Sequence, residues 1–316
     1  MNILVTGGAG FIGSNLVDSL LADGHNVFIV DNFNDYYHTQ IKEQNIHDNL
    51  NNKNCTLCRC DICDINQIDK IFLSNKIDVV VHLSARVGVR QSLENPKDYI
   101  ETNIIGTVNI LEEMKKHNVK KLVFASSSSV YGNCQADVFT EDLKVAEPIS
   151  PYGAAKSACE QIIYTYHHLY NINAVILRFF PVYGPRQHLD FAIYKFVDKI
   201  EKNEPIEMYG DGTTQCDYTF VDDIVSGIKS AITYNKTGYE IINLGGGESI
   251  SLKGVIQTIE QVLGKSAIIK QKPMQRVDIN KTVCDWSKAH RLLNYTPKTT
   301  FKQGIQKFVE WKRSRD

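Results

Sequence analysis

Two periods alternate along the first 180 residues. Short apolar runs bounded by turn formers, at 2–6, 26–30, 56–60, 77–83, 122–125 and 173–179, have the length of buried strands. Between them apolar residues recur at helical spacing over 14–21, 65–74, 98–117 and 152–170. A polar insertion from residue 32 to about residue 53 breaks the rhythm once. Strand–helix repeats of this length predict an α/β fold, a doubly wound parallel sheet covered on both faces, with ligands at the carboxyl ends of its strands. Beyond Arg178 the alternation loosens into a turn-rich loop over 180–188, a helix over 191–201 and a second turn-rich stretch over 209–218. A strand at 239–244 is expected to rejoin the sheet before Gly245-Gly246-Gly247, and helices near 251–263 and 301–313 complete a smaller C-terminal α/β lid. The expected division is 1–180 with a return of about 220–245 for the sheet domain, and 181–316 mainly for the substrate-binding lid.

The first strand runs into Gly7-Gly8-Ala9-Gly10-Phe11-Ile12-Gly13 and then a helix. Glycines at 7, 10 and 13 allow a tight turn, close approach of backbone to a pyrophosphate, and amides of a helix N-terminus facing it. The second strand ends at Asp31-Asn32, the right distance on to accept ribose hydroxyls, and an acid there disfavours a 2′-phosphate. The pattern predicts a Rossmann-type site for NAD rather than NADP. Asp61-Ile62, after the third strand, reads as the edge that meets adenine or as a helix cap. After Leu83, Ser84-Ala85-Arg86-Val87-Gly88-Val89-Arg90 supplies small residues at the next strand end, and Leu83 and Ala85 are expected where a nicotinamide or phosphate comes close to backbone. His82, inside an apolar strand, reads as a satisfied core histidine.

The strand over 122–125 spills into four serines, Ser126 to Ser129, then Val130-Tyr131-Gly132, and Pro151-Tyr152-Gly153-Ala154-Ala155-Lys156 follows. With Pro151 in a helix's first turn, Tyr152 and Lys156 are four apart and share a face. An ammonium beside a phenol favours the phenolate, and a serine hydroxyl arriving from the neighbouring loop would orient a substrate alcohol against it. That set suits removal of an alcohol proton as hydride leaves the same carbon. Arg186 and Arg276, from separate loops, are candidates to clamp a diphosphate, or are ordinary surface arginines; Asp278 is placed with them among the substrate contacts.

The charge and cysteine content exclude some partners. With 35 basic and 36 acidic residues the net charge is −1, which disfavours nucleic acid and anionic membrane as partners. No run approaches the roughly eighteen apolar residues of a membrane span and no leader is apparent, so a cytoplasmic protein is expected. Cys55, Cys58, Cys60 and Cys63 resemble a metal cluster, but strand geometry puts Cys55 and Cys58 on opposite faces, so reduced structural cysteines and no metal are expected.

Taken together, the glycine turn, Asp31, the serine loop ending in Val130-Tyr131-Gly132, Tyr152-x-x-x-Lys156 and Val221-Asp222-Asp223 resemble the extended short-chain dehydrogenase/reductase family, specifically its nucleotide-sugar 4-epimerases, over essentially the whole chain. The resemblance implies Tyr152 as acid/base, Lys156 as the residue that holds the cofactor ribose and lowers the phenol's pKa, and Ser127 as helper hydroxyl. It also implies substrate contacts from Val87, Arg90, Ser128, Ser129 and Pro181. Asp31 to Tyr37, Val87 to Pro96, Phe179 to Pro185 and Asp190 to Ile193 look most like UDP-glucuronate 4-epimerases. The chain departs from them at Pro181, where they usually carry threonine, at His188, near which they carry arginine, and at Cys216, which replaces an arginine. A neutral UDP-hexose or UDP-N-acetylhexosamine therefore stays open beside UDP-glucuronate. Related dehydratases and decarboxylases carry an acid directly after the helper hydroxyl or two residues on, where this chain has Ser128 and Ser129, so inversion at one carbon through a transient 4-keto sugar is expected. The alternatives are a net NAD-dependent dehydratase or oxidoreductase and a non-catalytic NAD-binding scaffold. Helices over 98–117 and 152–170 carry broad apolar faces, and family members pair there, so a homodimer is expected.

Overall fold

A computed structural model describes residues 1–36, 39–274 and 281–315. Its central sheet has seven parallel strands: β1 (Asn2–Thr6), β2 (Asn26–Asp31), β3 (Cys55–Arg59), β4 (Val79–His82), β5 (Lys121–Ser127), β6 (Asn173–Phe179) and β7 (Tyr239–Leu244). They lie in the order β7-β6-β5-β4-β1-β2-β3. Period-two alternation assigns each face its own core. Ile3, Val5, Ile29, Val81, Val123 and Leu177 point to one side and pack on α1 (Phe11–Ala22) and the helix Val221–Thr233. Leu4, Val30, Val80, Leu122, Phe124 and Ile176 point to the other, against helices Ile65–Ser74, Gly106–Lys116 and Pro151–Tyr170. Burial on both faces explains why these strands read as continuous apolar runs.

The chain winds outward from β1 to β3, then returns to lay β4 on the other side of β1. That reversal is the topological switch point, where the carboxyl ends of β1 and β4 part and leave a crevice. The strand at Tyr239–Leu244 rejoins the sheet beside β6 with the bounds expected from the sequence.

One expected element is corrected. The helix read over 98–117 is a short turn Pro96–Tyr99, a π-helical turn Ile100–Ile105 and the helix Gly106–Lys116. Wide turns of this kind recur at functional sites, and here Asn103 uses the turn to reach the loop after β4. Its side chain accepts from the Arg86 amide at 2.8 Å and donates to the Arg86 carbonyl at 3.0 Å.

The C-terminal elements cover the mouth of the crevice. Pro205–Tyr209 pairs with Ile268–Lys272, Gln215–Asp217 pairs with Ser249–Ser251, and the helices Ala192–Glu201, Leu252–Leu263 and Phe301–Arg313 pack around them. Asp223 ties this part to the sheet helices by accepting from the Lys298 and Thr299 amides at 3.0 and 3.1 Å.

Candidate active site

A cavity of about 840 Å³ opens at the switch point, between the sheet's carboxyl edge and the C-terminal elements. One end is the glycine turn. Gly10 caps α1 without a side-chain hydrogen bond, so the first amides of that helix are left for a ligand. A Cβ on Gly13 would sit 2.1 Å from the Gly7 carbonyl oxygen, and Gly7, at φ +70°, brings its backbone against Ser84. The turn is therefore closed around a cradle that only glycine permits. Asp31 lies buried at the end of β2, accepting from the Ala9 and Phe33 amides and from Lys42 Nζ at 3.0 Å. These residues fit a dinucleotide: Gly10 to Gly13 for the pyrophosphate, Asp31 and Asn32 for the ribose, Ile62 and Leu83 as apolar walls.

The other end holds the chemistry. Ser150 caps the helix Pro151–Tyr170 by accepting from the Gly153 amide at 3.1 Å, and Pro151 opens its first turn. Tyr152 and Lys156 thereby face the cavity beside Ser127, the last residue of β5. Ser127 lies beside the Tyr152 phenol and pulls its pKa down, while the Ser127 hydroxyl donates to Ser129 Oγ at 3.2 Å. The Tyr152 ring meets Tyr99 edge-on at 6.2 Å, and the Tyr99 hydroxyl donates to the Val87 carbonyl at 2.6 Å.

The electrostatics reverse one expectation. Burial pushes the Tyr152 phenol up to about 12, with only Ser127 pulling it down. Lys156 does not act on it, because its ammonium donates to the Ala125 carbonyl at 2.7 Å and is itself pushed down to about 8 by burial. Helical spacing put the two on one face, but burial, not the ammonium, sets the phenol's ionisation. The chain alone does not make this phenol acidic.

Of the other residues expected in the site, Gly7, Phe11, Ile12, Ala85, Val87, Arg90, Ser128, Ser129 and Pro181 line the cavity. Arg186 is not on its wall: at φ +68° it turns back and pairs with Asp18 on α1 at 2.7 Å, the arrangement of an arginine at the surface rather than of a diphosphate clamp. Asp61 accepts from the Cys63 amide and the Asn32 side chain at 2.8 Å each, and the capping reading does not hold, because the helix Ile65–Ser74 is capped by Asp64, which accepts from the Asn66 and Gln67 amides. Arg276 and Asp278 lie outside the described residues. His82 is the core histidine expected, set between Thr6 and Thr107 at 2.6 and 3.0 Å. Sequence reasoning missed Lys42 and Tyr36, which line the cavity from the polar insertion with no motif around them, and the role of Arg86, named only as part of the run after β4; Tyr99 backs that wall by donating to the Val87 carbonyl.

Comparison with known proteins places the whole chain. A family model described as GDP-mannose 4,6 dehydratase matches residues 4–308. The UDP-glucuronate 4-epimerase of Thermodesulfobacterium geofontis is 42% identical over 311 residues, covering 98% of this chain and 95% of that protein. Among solved structures, UDP-glucuronic acid 4-epimerase from Bacillus cereus, in complex with UDP-glucuronic acid and NAD, superposes with a TM-score of 0.93 at 35% identity, covering both chains fully. UDP-glucose 4-epimerase from Thermotoga maritima, with UDP-glucose, gives 0.92 at 32% identity over 100% of this chain and 99% of that one.

Proposed function

This chain belongs to the extended short-chain dehydrogenase/reductase family, within the group matched by the GDP-mannose 4,6 dehydratase model, and on that premise we propose that it inverts carbon 4 of a UDP-sugar, UDP-glucuronate to UDP-galacturonate or the reverse. The observation that carries the reading is the pairing of Tyr152 with Ser127 at one end of a cavity whose other end is the uncapped glycine turn. Bound NAD supplies the acceptor and donor of hydride at carbon 4. The chain's own part, once the positive charge of the oxidised cofactor favours the Tyr152 phenolate, is to hold the 4-hydroxyl between Ser127 and Tyr152, take its proton at the phenolate oxygen, and give it back at the opposite face of the same carbon. No net redox change results.

The family model's description names a dehydratase, but the positions after Ser127 are Ser128 and Ser129, which cannot serve as the second base that loss of water requires. Single-carbon chemistry fits the loop better. Residues 181–316 are assigned mainly to gripping the UDP-sugar. The eight cysteines, none of them in a disulfide, suit a reducing compartment such as the cytoplasm, and among the described residues no helix is long and apolar enough to cross a membrane. Ile100, Ile105, Tyr164 and Leu169 are exposed on the π-helical turn and the helix Pro151–Tyr170, and they support a homodimer through this face; a monomer by light scattering at micromolar concentration refutes it.

The rival substrate is a neutral UDP-hexose. It is favoured by Pro181, which has no N–H to offer, and by His188, which burial keeps neutral at pH 7. Incubating the NAD-loaded protein with UDP-glucuronate, UDP-glucose and UDP-N-acetylglucosamine, with product chromatography, decides between them. Tyr152→Phe is expected to lower turnover about 100-fold or more, the range for a lost acid/base; near-normal turnover removes Tyr152 from that role.

A further inference from the structure

We propose that Arg86 reads the acidic group on the sugar, so that the cleft selects a uronate without help from Pro181 or His188. The inference rests on the 4-epimerase reading and deepens it. A carboxylate on the carbon next to the reacting one must be met close to Tyr152 by a fixed donor, and a guanidinium is the side chain whose planar fork matches it at two points.

Most of the other cations on the cavity wall have work already, and Lys199, which has no ion pair among the described residues, comes from the C-terminal helix Ala192–Glu201 rather than from the frame that holds Tyr152. Lys42 is paired with Asp31 at 3.0 Å, Lys156 with the Ala125 carbonyl at 2.7 Å, and Lys195 with Asp190 at 3.0 Å. Arg90 stacks 4.1 Å over Tyr209, on the C-terminal elements. Arg86 differs. Its Nε is enclosed and has no hydrogen-bond partner, and its ion contact is a loose one, Nη2 to Asp98 at 3.6 Å. The enclosed Nε leaves the guanidinium short of an acceptor, and its Nη groups, on a side chain still 26% exposed, are the ones a ligand oxygen can reach.

Its position is fixed relative to the phenol. Asn103 holds the Arg86 backbone at both its amide and its carbonyl. The next carbonyl, Val87, accepts from Tyr36 and Tyr99 at 2.5 and 2.6 Å, and the Tyr99 ring packs on Tyr152. The guanidinium itself lies 5.4 Å over the Tyr36 ring, whose neighbour at 5.6 Å is His188. One frame thus carries both the acid/base and the guanidinium, the preorganisation that selective binding needs.

The test is calorimetric binding of UDP-glucuronate, UDP-glucose and UDP to the NAD-loaded protein in a Tyr152→Phe background, with and without Arg86→Gln. Arg86→Gln is expected to weaken UDP-glucuronate about 10- to 100-fold, the scale of a charge-assisted hydrogen bond, and to leave UDP-glucose and UDP within about 2-fold. Arg86→Lys, which keeps the charge and most of the bulk, should retain part of the preference if the charge is what matters. Equal weakening of all three ligands by Arg86→Gln, or a preference for the uronate that survives both variants, overturns the role of Arg86 and leaves the 4-epimerase reading intact. A starting protein that converts and binds UDP-glucose in preference to UDP-glucuronate overturns the uronate reading itself.

Discussion

Arg178 on β6 and Glu160 on the helix Pro151–Tyr170 form a two-point ion pair, Nε to Oε1 at 2.9 Å and Nη2 to Oε2 at 2.7 Å, with both side chains buried. Ser126 donates to the same carboxylate at 2.5 Å, and Arg178 stacks 4.8 Å over Tyr131 at the far end of the serine loop. The pair therefore fixes the strand end that carries Ser127 to the helix that carries Tyr152.

Breaking that pair from one side leaves an uncompensated charge in the interior. Glu160→Ala is expected to cost about 3–5 kcal/mol of stability, whereas Glu160→Leu combined with Arg178→Met should cost less than either single change. Urea midpoints of Glu160→Ala, of Glu160→Leu and Arg178→Met singly, and of the double variant check this. A double variant as unstable as the sum of the singles would show that the two residues are not coupled and refute this account of the pair.

The phenol that must take a proton is held protonated by the chain that surrounds it. In the NAD-free protein the ionisation of Tyr152, isolated by subtracting the tyrosinate absorbance of Tyr152→Phe, should come near pH 12, above the ordinary value of 10.0. Lys156 already loses its proton near pH 8, so raising the pH removes the charge that would have helped. A Tyr152 midpoint near 7 in the absence of cofactor would refute the account given for Lys156.

Closure of the glycine turn is a matter of a single carbon. A Cβ at Gly13 would meet the Gly7 carbonyl at 2.1 Å and Gly8 Cα at 2.8 Å, both backbone, so the turn must open. Gly13→Ala should lower stability by about 1–3 kcal/mol, the usual cost of overpacking, and weaken NAD at least about 10-fold, or about 1.4 kcal/mol. Gly24→Asn is the control: at φ +79° with nothing within 4 Å of its Cβ, asparagine fits and NAD binding should not change. Fluorescence titration with NAD measures both.

Local signals carried most of the sheet and the ends of its strands. Apolar runs gave β1 to β7 to within a residue or two, and Tyr152 and Lys156 followed from helical spacing once Pro151 was taken as the opening of the helix. What stayed hidden depends on distant packing. Nothing local to Arg186 distinguishes an arginine that pairs with Asp18 on α1 from one that clamps a diphosphate, since the choice is made by a left-handed backbone at that residue. Arg86 sits in a run of small residues, and only the π-helical turn over Ile100–Ile105, which breaks the expected helical period, brings Asn103 to hold it. The sign of the Tyr152 shift is hidden for a further reason, because spacing reports which groups face each other and not how much water has left them.

His82 gives the fold a specific acid sensitivity. Burial pushes its pKa down to about 3 from 6.5, and the two threonines that flank it leave no carboxylate to stabilise the charged ring. The unfolded chain therefore binds a proton that the folded chain refuses between those two values, so stability falls as pH drops below 6.5 and the loss is complete only near 3. Between pH 7 and pH 5 this one residue should remove about 2 kcal/mol, at about 1.36 kcal/mol per pH unit below the unfolded pKa. His82→Gln keeps a polar group between Thr6 and Thr107 but cannot titrate. Its urea midpoint should start lower at pH 7 and then decline less than that of the unmodified chain on going to pH 5. Parallel declines in the two proteins would assign the acid lability to the surface carboxylates instead.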